Sequence, residues 1–267
     1  MFQLINPIYL LKFMKKHFIK VLCVGILFQI STTLSAQQFK VLVLTKTEGF
    51  QHGSIPEATL AIKKLAERHA FTVEVATGSN AFNDKNLEQY SAVIFLLTTG
   101  NILDSTQKRA MEKFIKSGKG FVGVHSASDT EYGWDWYTKL VGMMFKIHPL
   151  QQTAYLDVVN SNFPGMERFP KRLLWTDEWY EFQERKVDDL KLLVTVDEKT
   201  YNPVAKWGPG KEGKGMGAVH PISWYHNYDG GRAFYTALGH IPSIYSDQTF
   251  LDHLYGGIYW AATGKGL

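Results

Sequence analysis

From Phe39 onward the chain alternates continuous apolar runs with amphipathic stretches, and this alternation constrains its fold more than any other feature. FKVLVLT (39–45), FTVEVA (71–76), AVIFLL (92–97) and FVGVH (121–125) read as strands, the most continuous of them suited to burial on both faces. After the first run, Leu60, Ile62, Leu65 and Ala66 are set against Lys63, Lys64, Glu67 and Arg68, with Ser54 as the expected cap and Pro56 in the first turn. A second helix is expected from a Ser105 cap through Met111, Phe114 and Ile115 to Gly118. Strands separated by such helices require right-handed crossovers, and hence a parallel sheet. Beyond Thr130 the pattern loosens. TAYLDVV (153–159), LKLLVTV (190–196) and RAFYTAL (232–238) read as further strands, and 247–262 as a last amphipathic helix. The expectation is one α/β domain with a mostly parallel sheet, helices on both faces and a long insertion between Thr130 and Gly230.

Composition enters through the N-terminus. Lys12, Lys15, Lys16 and Lys20 carry the whole net charge of +4, because residues 1–36 hold no acid. The rest is balanced, so the basic footprint of a nucleic-acid binder is missing. Lys15, Lys16 and Lys20, the apolar run Val21–Ile30 and the small-residue stretch ending at Ala36 form the pattern of a secretory signal. The run is short for a membrane span. The expectation is therefore export to the periplasm or beyond, with no stable membrane anchor after cleavage and with Met1 or Met14 as the start. Cys23 is the single cysteine, so an internal disulfide is excluded and the body after Ala36 carries no thiol.

In open parallel sheets ligands bind beyond the carboxyl ends of the strands. That rule selects KTEGFQHGS (46–54), HSASDTEYGWDWY (125–137) and GHIPSIY (239–245), which bring Phe50, His52, His125, Ser126 and His240 to one edge. GVHSA has the strand-to-turn form of a nucleophile elbow, with His125 in place of the nucleophile. Ser126 lacks the G-x-S-x-G frame, so histidine chemistry is favoured over a serine or cysteine hydrolase. WTDEWYEF (175–182) contributes paired acids, Asp177 and Glu178, whose side chains point oppositely if the segment is extended. HPLQQ (148–152) offers His148. In HPISWYHNYDGGRAFYTALGH (220–240), Trp224, Tyr225, His226 and Arg232 pair flat faces with planar polar groups, as sugar recognition requires. The histidines and acids admit a divalent metal, although no H-E-x-x-H or H-x-H spacing specifies one. No G-x-G-x-x-G follows the first strand, which argues against a nicotinamide cofactor. KWGPGKEGKGMG (206–217) reads as a flexible loop or lid.

KTEGFQHGSI, GVHSASD, TDEWYEF, PISWYHNYDGGRAFYTALGH and GGIYWAATG together resemble the ThuA-like, trehalose-utilisation family, from about Phe39 to the C-terminus. The resemblance implies a class I glutamine amidotransferase-like, flavodoxin-type domain over residues 37–267, following a signal peptide over 1–36. It also implies a function on trehalose-like disaccharides or their 3-keto derivatives. His125 stands where that superfamily places its cysteine, so thiol amidotransfer is excluded. The expected chemistry is acid/base, with His125 or Asp177 as base and His240 or Glu178 as acid. Phe50, His52, Ser126, His148, Trp224, Tyr225, His226 and Arg232 are expected to hold a small carbohydrate. A sugar-binding protein and a partner subunit are the alternatives, no cofactor is established, and a homo-oligomer is left open.

Overall fold

The computed structural model describes residues 38–266, and the expected signal segment with Cys23 lies outside them. In chain order the first half gives β1 (Lys40–Leu44), α1 (Ile55–His69), β2 (Thr72–Ala76), α2 (Asp84–Leu87), β3 (Ala92–Leu96), α3 (Ser105–Lys116) and β4 (Gly120–Val124). There follow α4 (Asp135–Val141), β5 (Phe145–Ile147), β6 (Gln152–Val158), β7 (Arg172–Asp177), β8 (Glu181–Phe182) and β9 (Lys191–Val196). The chain closes with β10 (Ala205–Lys206), β11 (Glu212–Gly213), β12 (His220–Tyr228), β13 (Gly231–Thr236) and α5 (Gln248–Thr263).

One sheet takes nine of the strands in the order β2-β1-β3-β4-β13-β12-β9-β6-β7. The pairs from β2 through β13 are parallel, and the insertion extends this core with four strands that pair antiparallel. Alternation along the strands shows that both faces are covered. Phe234 of β13 packs on α5 at Gly257, where an added Cβ would come within 2.3 Å of the Phe234 ring. Phe121 of β4, on the opposite face, meets Tyr137 of α4 at 5.8 Å between ring centres. The tail motif GGIYWAATG is thus explained by a close helix–sheet approach.

The caps are set by local chemistry. Asp104, not Ser105, caps α3: its carboxylate accepts from the Thr106 and Gln107 N–H groups, and the Gln107 side chain returns the bond. Ser54 occupies the N-cap of α1 but makes no side-chain cap bond. Its hydroxyl instead donates to the Gly239 carbonyl at 3.2 Å, tying the β1 loop to the β13 loop.

The antiparallel half curls. The pairing of β12 with β9 shifts register twice between Pro221 and Trp224, and such irregularities bend a strand. As a result the end of β7 returns to the end of β13 across three intervening strands. The Gly239 N–H donates to Asp177 Oδ2 at 2.9 Å. Among the described residues no helix is long and apolar enough to cross a membrane.

Candidate functional site

That closure builds the site. β1, β4 and β13 run in one direction, and two antiparallel reversals on each side of β9 give β7 the same direction. The loops carrying His52, His125 and His240 and the segment after β7 therefore meet at one edge. Ring centres lie 4.8 Å apart for His52 and His125, 5.3 Å for His52 and His240, and 5.3 Å for His125 and His240. Glu178 Oε2 sits among imidazoles, 3.0 Å from His240 Nδ1 and 3.5 Å from both His125 Nε2 and His148 Nε2.

His125 has φ 51°, in the left-handed region that few non-glycine residues adopt. This is the turn geometry of an elbow, and it aims the imidazole into the cluster. Nδ1 lies 2.6 Å from the Ala237 carbonyl, which only accepts, so Nδ1 carries the proton. The lone pair is then on Nε2, where the Tyr180 hydroxyl donates at 2.7 Å. His148 is fixed in the same way, its Nδ1–H donating to the Pro149 carbonyl at 2.7 Å. Ser126 Oγ meets His52 Nδ1 at 3.3 Å, leaving His52 Nε2 free.

The electrostatics follow from burial and neighbours. Burial, and then the His125 and His240 rings, push the His52 pKa down to about 3, and burial lowers that of His148. Burial opposes the Glu178 charge, but the His125 and His240 imidazoles beside it override that and hold the carboxyl well below its usual range. Burial likewise opposes the His240 charge, and the Glu178 carboxylate overrides it, so His240 titrates above the ordinary imidazole value.

Asp177 and Glu178 point apart, as alternation requires. Asp177 is fully buried, and its carboxylate accepts the N–H groups of Glu178, Gly239 and His240. It anchors the His240 loop, and only Glu178 enters the cluster. Phe50 stands at the rim, 64% exposed, with its ring 4.8 Å from that of His52.

The expected sugar grip of Trp224, Tyr225, His226 and Arg232 is not part of this cluster. The first three lie on β12, an interior strand, and Arg232 lies at the opposite end of β13, paired with Gly120. Trp224 Nε1 donates to the Val141 carbonyl at 2.7 Å and His226 Nε2 to that of Leu140 at 2.9 Å. Tyr225 packs on Phe163 and Trp260, and Arg232 Nε donates to the Ala261 carbonyl. Trp224, His226 and Arg232 thus each spend a side-chain N–H on a backbone carbonyl, and Tyr225 packs against two other rings, so the four side chains serve packing of the sheet rather than a shared platform.

Two residues escaped the sequence reading. Tyr180 stands two positions after Glu178, so the period-two signal for a shared side was present. Trp207, 50% exposed, donates from Nε1 to the His148 carbonyl at 3.1 Å, and its ring lies 4.8 Å from the His148 ring. It comes from the glycine-rich segment, which is pinned rather than free. Glu181 accepts the N–H groups of Lys214 and Gly215, and Glu198 those of Met216 and Gly217. An added Cβ at Gly215 would fall 2.5 Å from a Glu198 oxygen, and φ there is +86°, so glycine is required.

Residues 40–261 match the family model ThuA, described as trehalose utilisation. No curated protein sequence matches. Among solved structures, a ThuA-like protein from Bacteroides uniformis aligns at 22% identity with a TM-score of 0.69, covering 86% of this chain and 94% of its own. One from Parabacteroides merdae aligns at 18% and 0.63, covering 85% and 91%. A beta-galactosidase from Bacillus circulans aligns at 13% and 0.51, covering 87% of this chain but 32% of the enzyme. At these identities the solved structures show the shared fold alone.

Proposed function

Because this chain belongs to the ThuA family of trehalose utilisation, we propose that it is an enzyme acting on a trehalose-like disaccharide after oxidation to the 3-keto glycoside. The observation that carries this reading is the convergence of four imidazoles and one carboxylate at an elbow with no thiol. A 3-keto group acidifies the proton at C2. His148 is the base: its Nδ1–H is tied to Pro149, so the Nε2 lone pair is available, and its side chain is partly open to solvent. Removal of the C2 proton places the electron pair on the keto oxygen as an enolate. Collapse of the enolate forms the C1–C2 double bond and expels the glycosidic oxygen, which takes the proton from His148. The released alcohol and the 2-hydroxy enone account for every atom, and water added at C1 completes a net hydrolysis. His240, held by Glu178, supplies positive charge beside the enolate oxygen. Phe50 and Trp207, exposed rings flanking the cluster, are the sugar platform in place of Trp224 and Tyr225. The signal-like N-terminus supports a periplasmic or secreted setting for this chemistry.

Exchange at C2 tests the reading directly. In deuterated water, 3-keto-trehalose should gain one deuterium at C2 and then split, followed by mass spectrometry. His148→Gln should slow both steps by about 10²–10⁴, the usual scale for losing acid–base catalysis. Cleavage of unoxidised trehalose at a comparable rate would refute the mechanism. Binding of the keto sugar without exchange would make the protein a sugar-binding module.

A further inference from the structure

We propose that His52, His125, His240 and Glu178 form a binding site for one first-row divalent cation. One donor atom from each lies within 4.8 Å of all the others. Donors bound at about 2.0–2.1 Å stand about 3.4 Å apart in a tetrahedral site and up to about 4.2 Å apart across an octahedral one, so modest contraction suffices. The proposal deepens the function above: with the ion bound, His240 would be a neutral ligand and the cation, in place of the imidazolium, the positive partner of the enolate oxygen, while the binding itself is independent of any sugar.

Three observations point to a cation rather than to a hydrogen-bonded network. First, His240 Nδ1 is buried 3.0 Å from Glu178 Oε2, yet the two are not aligned as a hydrogen bond, so the nitrogen is left with an ion-pair contact alone. Second, with Nδ1 protonated in both rings, the Nε2 lone pairs of His125 and His148 face the same anionic Glu178 oxygen at 3.5 Å, an approach of like partial charges that a cation between them would relieve. Third, the outer bonds are those that orient imidazole ligands. His125 Nδ1 is tied to a backbone carbonyl and His52 Nδ1 to a serine hydroxyl, so each presents Nε2 inward. Asp177 completes this shell by gripping the backbone N–H groups of Glu178 and His240 themselves. Three imidazoles and one carboxylate are a borderline donor set, suited to zinc, manganese, cobalt or nickel and poorly suited to calcium or magnesium. His125 Nε2 now accepts from Tyr180, so binding transfers that lone pair from the phenol to the cation. Tyr180 is therefore a competitor for the site and not a ligand.

Equilibrium dialysis of chelator-treated protein against Zn²⁺, Mn²⁺, Ni²⁺ or Mg²⁺ alone, read by elemental mass spectrometry, tests this without substrate. One zinc, manganese or nickel ion per chain is expected, and no magnesium. His240→Ala and Glu178→Gln should each weaken binding by at least tenfold, with folding checked by circular dichroism. His69→Asn, a control at a half-buried histidine outside the cluster, should bind normally, and Tyr180→Phe should bind at least as tightly as the natural chain. Loading with Co²⁺ should give a visible absorption that changes in His125→Asn. The proposal is overturned if no transition ion binds at one per chain, if the Glu178→Gln/His240→Ala double variant binds as well as the natural chain, or if Tyr180→Phe abolishes binding. Metal binding without C2 exchange would sustain this site and overturn the reaction; exchange without metal would do the reverse.

Discussion

At the scale of single residues, the adjacent acids show how one position can organise what its neighbour presents. Asp177 spends both carboxylate oxygens on three backbone N–H groups, two of them in the loop that carries His240. Burial raises its pKa, and these bonds act against that rise, so the charge is bound up with the loop's geometry. Asp177→Asn keeps the volume but offers one acceptor oxygen and turns an amide donor towards an N–H. It should destabilise the protein by about 1–3 kcal/mol, the cost of an unsatisfied buried group, as measured by urea unfolding. A change under about 0.5 kcal/mol would mean that the loop holds its position without this clamp. The residue types were legible in the sequence, because acids beside aromatics invite a chemical role. Their division of labour was not, since it depends on β7 returning to β13, a contact between segments 62 residues apart in Asp177 and Gly239.

At the scale of elements, local pattern and pairing part company. The strands β1, β3 and β4 were readable from apolar runs because burial on both faces removes polar residues from them, whereas β2, an edge strand with Glu74 exposed, was readable from its β-branched residues. The edge bearing His52, His125 and His240 followed from strand direction alone. β12 was read as a binding surface because Trp224, Tyr225 and His226 look like recognition chemistry; only pairing on both sides reveals an interior strand. The segment around β10 and β11 misled in the opposite sense. Its glycines suggest mobility, whereas they admit the carboxylates of Glu181 and Glu198 against the backbone. His220 links this clamp to the site, with Nδ1 2.7 Å from Glu198 and Nε2 donating to the Tyr180 carbonyl at 2.8 Å. Glu198→Gln removes charge-assisted bonds worth roughly 1.5–3 kcal/mol, so local opening should rise about tenfold or more. Limited trypsin digestion at Lys206, Lys211 and Lys214 should accelerate by that factor while the global unfolding midpoint moves little. An unchanged cleavage rate would show that the hairpin itself, not the carboxylate, holds the segment.

At the scale of the whole molecule, stability and function make opposite demands on histidine. The site gathers imidazoles at an edge where charge is useful, whereas the interior also buries imidazoles where charge is penalised, His253 the most completely. His253 of α5 is fully buried between the rings of Phe169 and Phe234, its Nδ1 facing the Met166 sulfur at 3.1 Å and its Nε2 unpartnered. Burial alone drives its pKa down to about 3 in the folded chain, from 6.5 for a free imidazole. Between those values the unfolded chain binds a proton that the folded one refuses. The stability is therefore complete above about pH 6.5 and declines as pH falls towards 3, by up to about 1.4 kcal/mol per unit. His52 and His226, also lowered by burial, add to the decline in the natural protein. His253→Leu keeps a similar apolar volume and removes this one titration. Urea unfolding at a series of pH values should show the variant losing about 2 kcal/mol less than the natural chain between pH 6 and pH 4. Parallel curves for the two proteins would mean that the core admits the imidazolium, through water or rearrangement around Met166, and that acid sensitivity arises at the site edge instead.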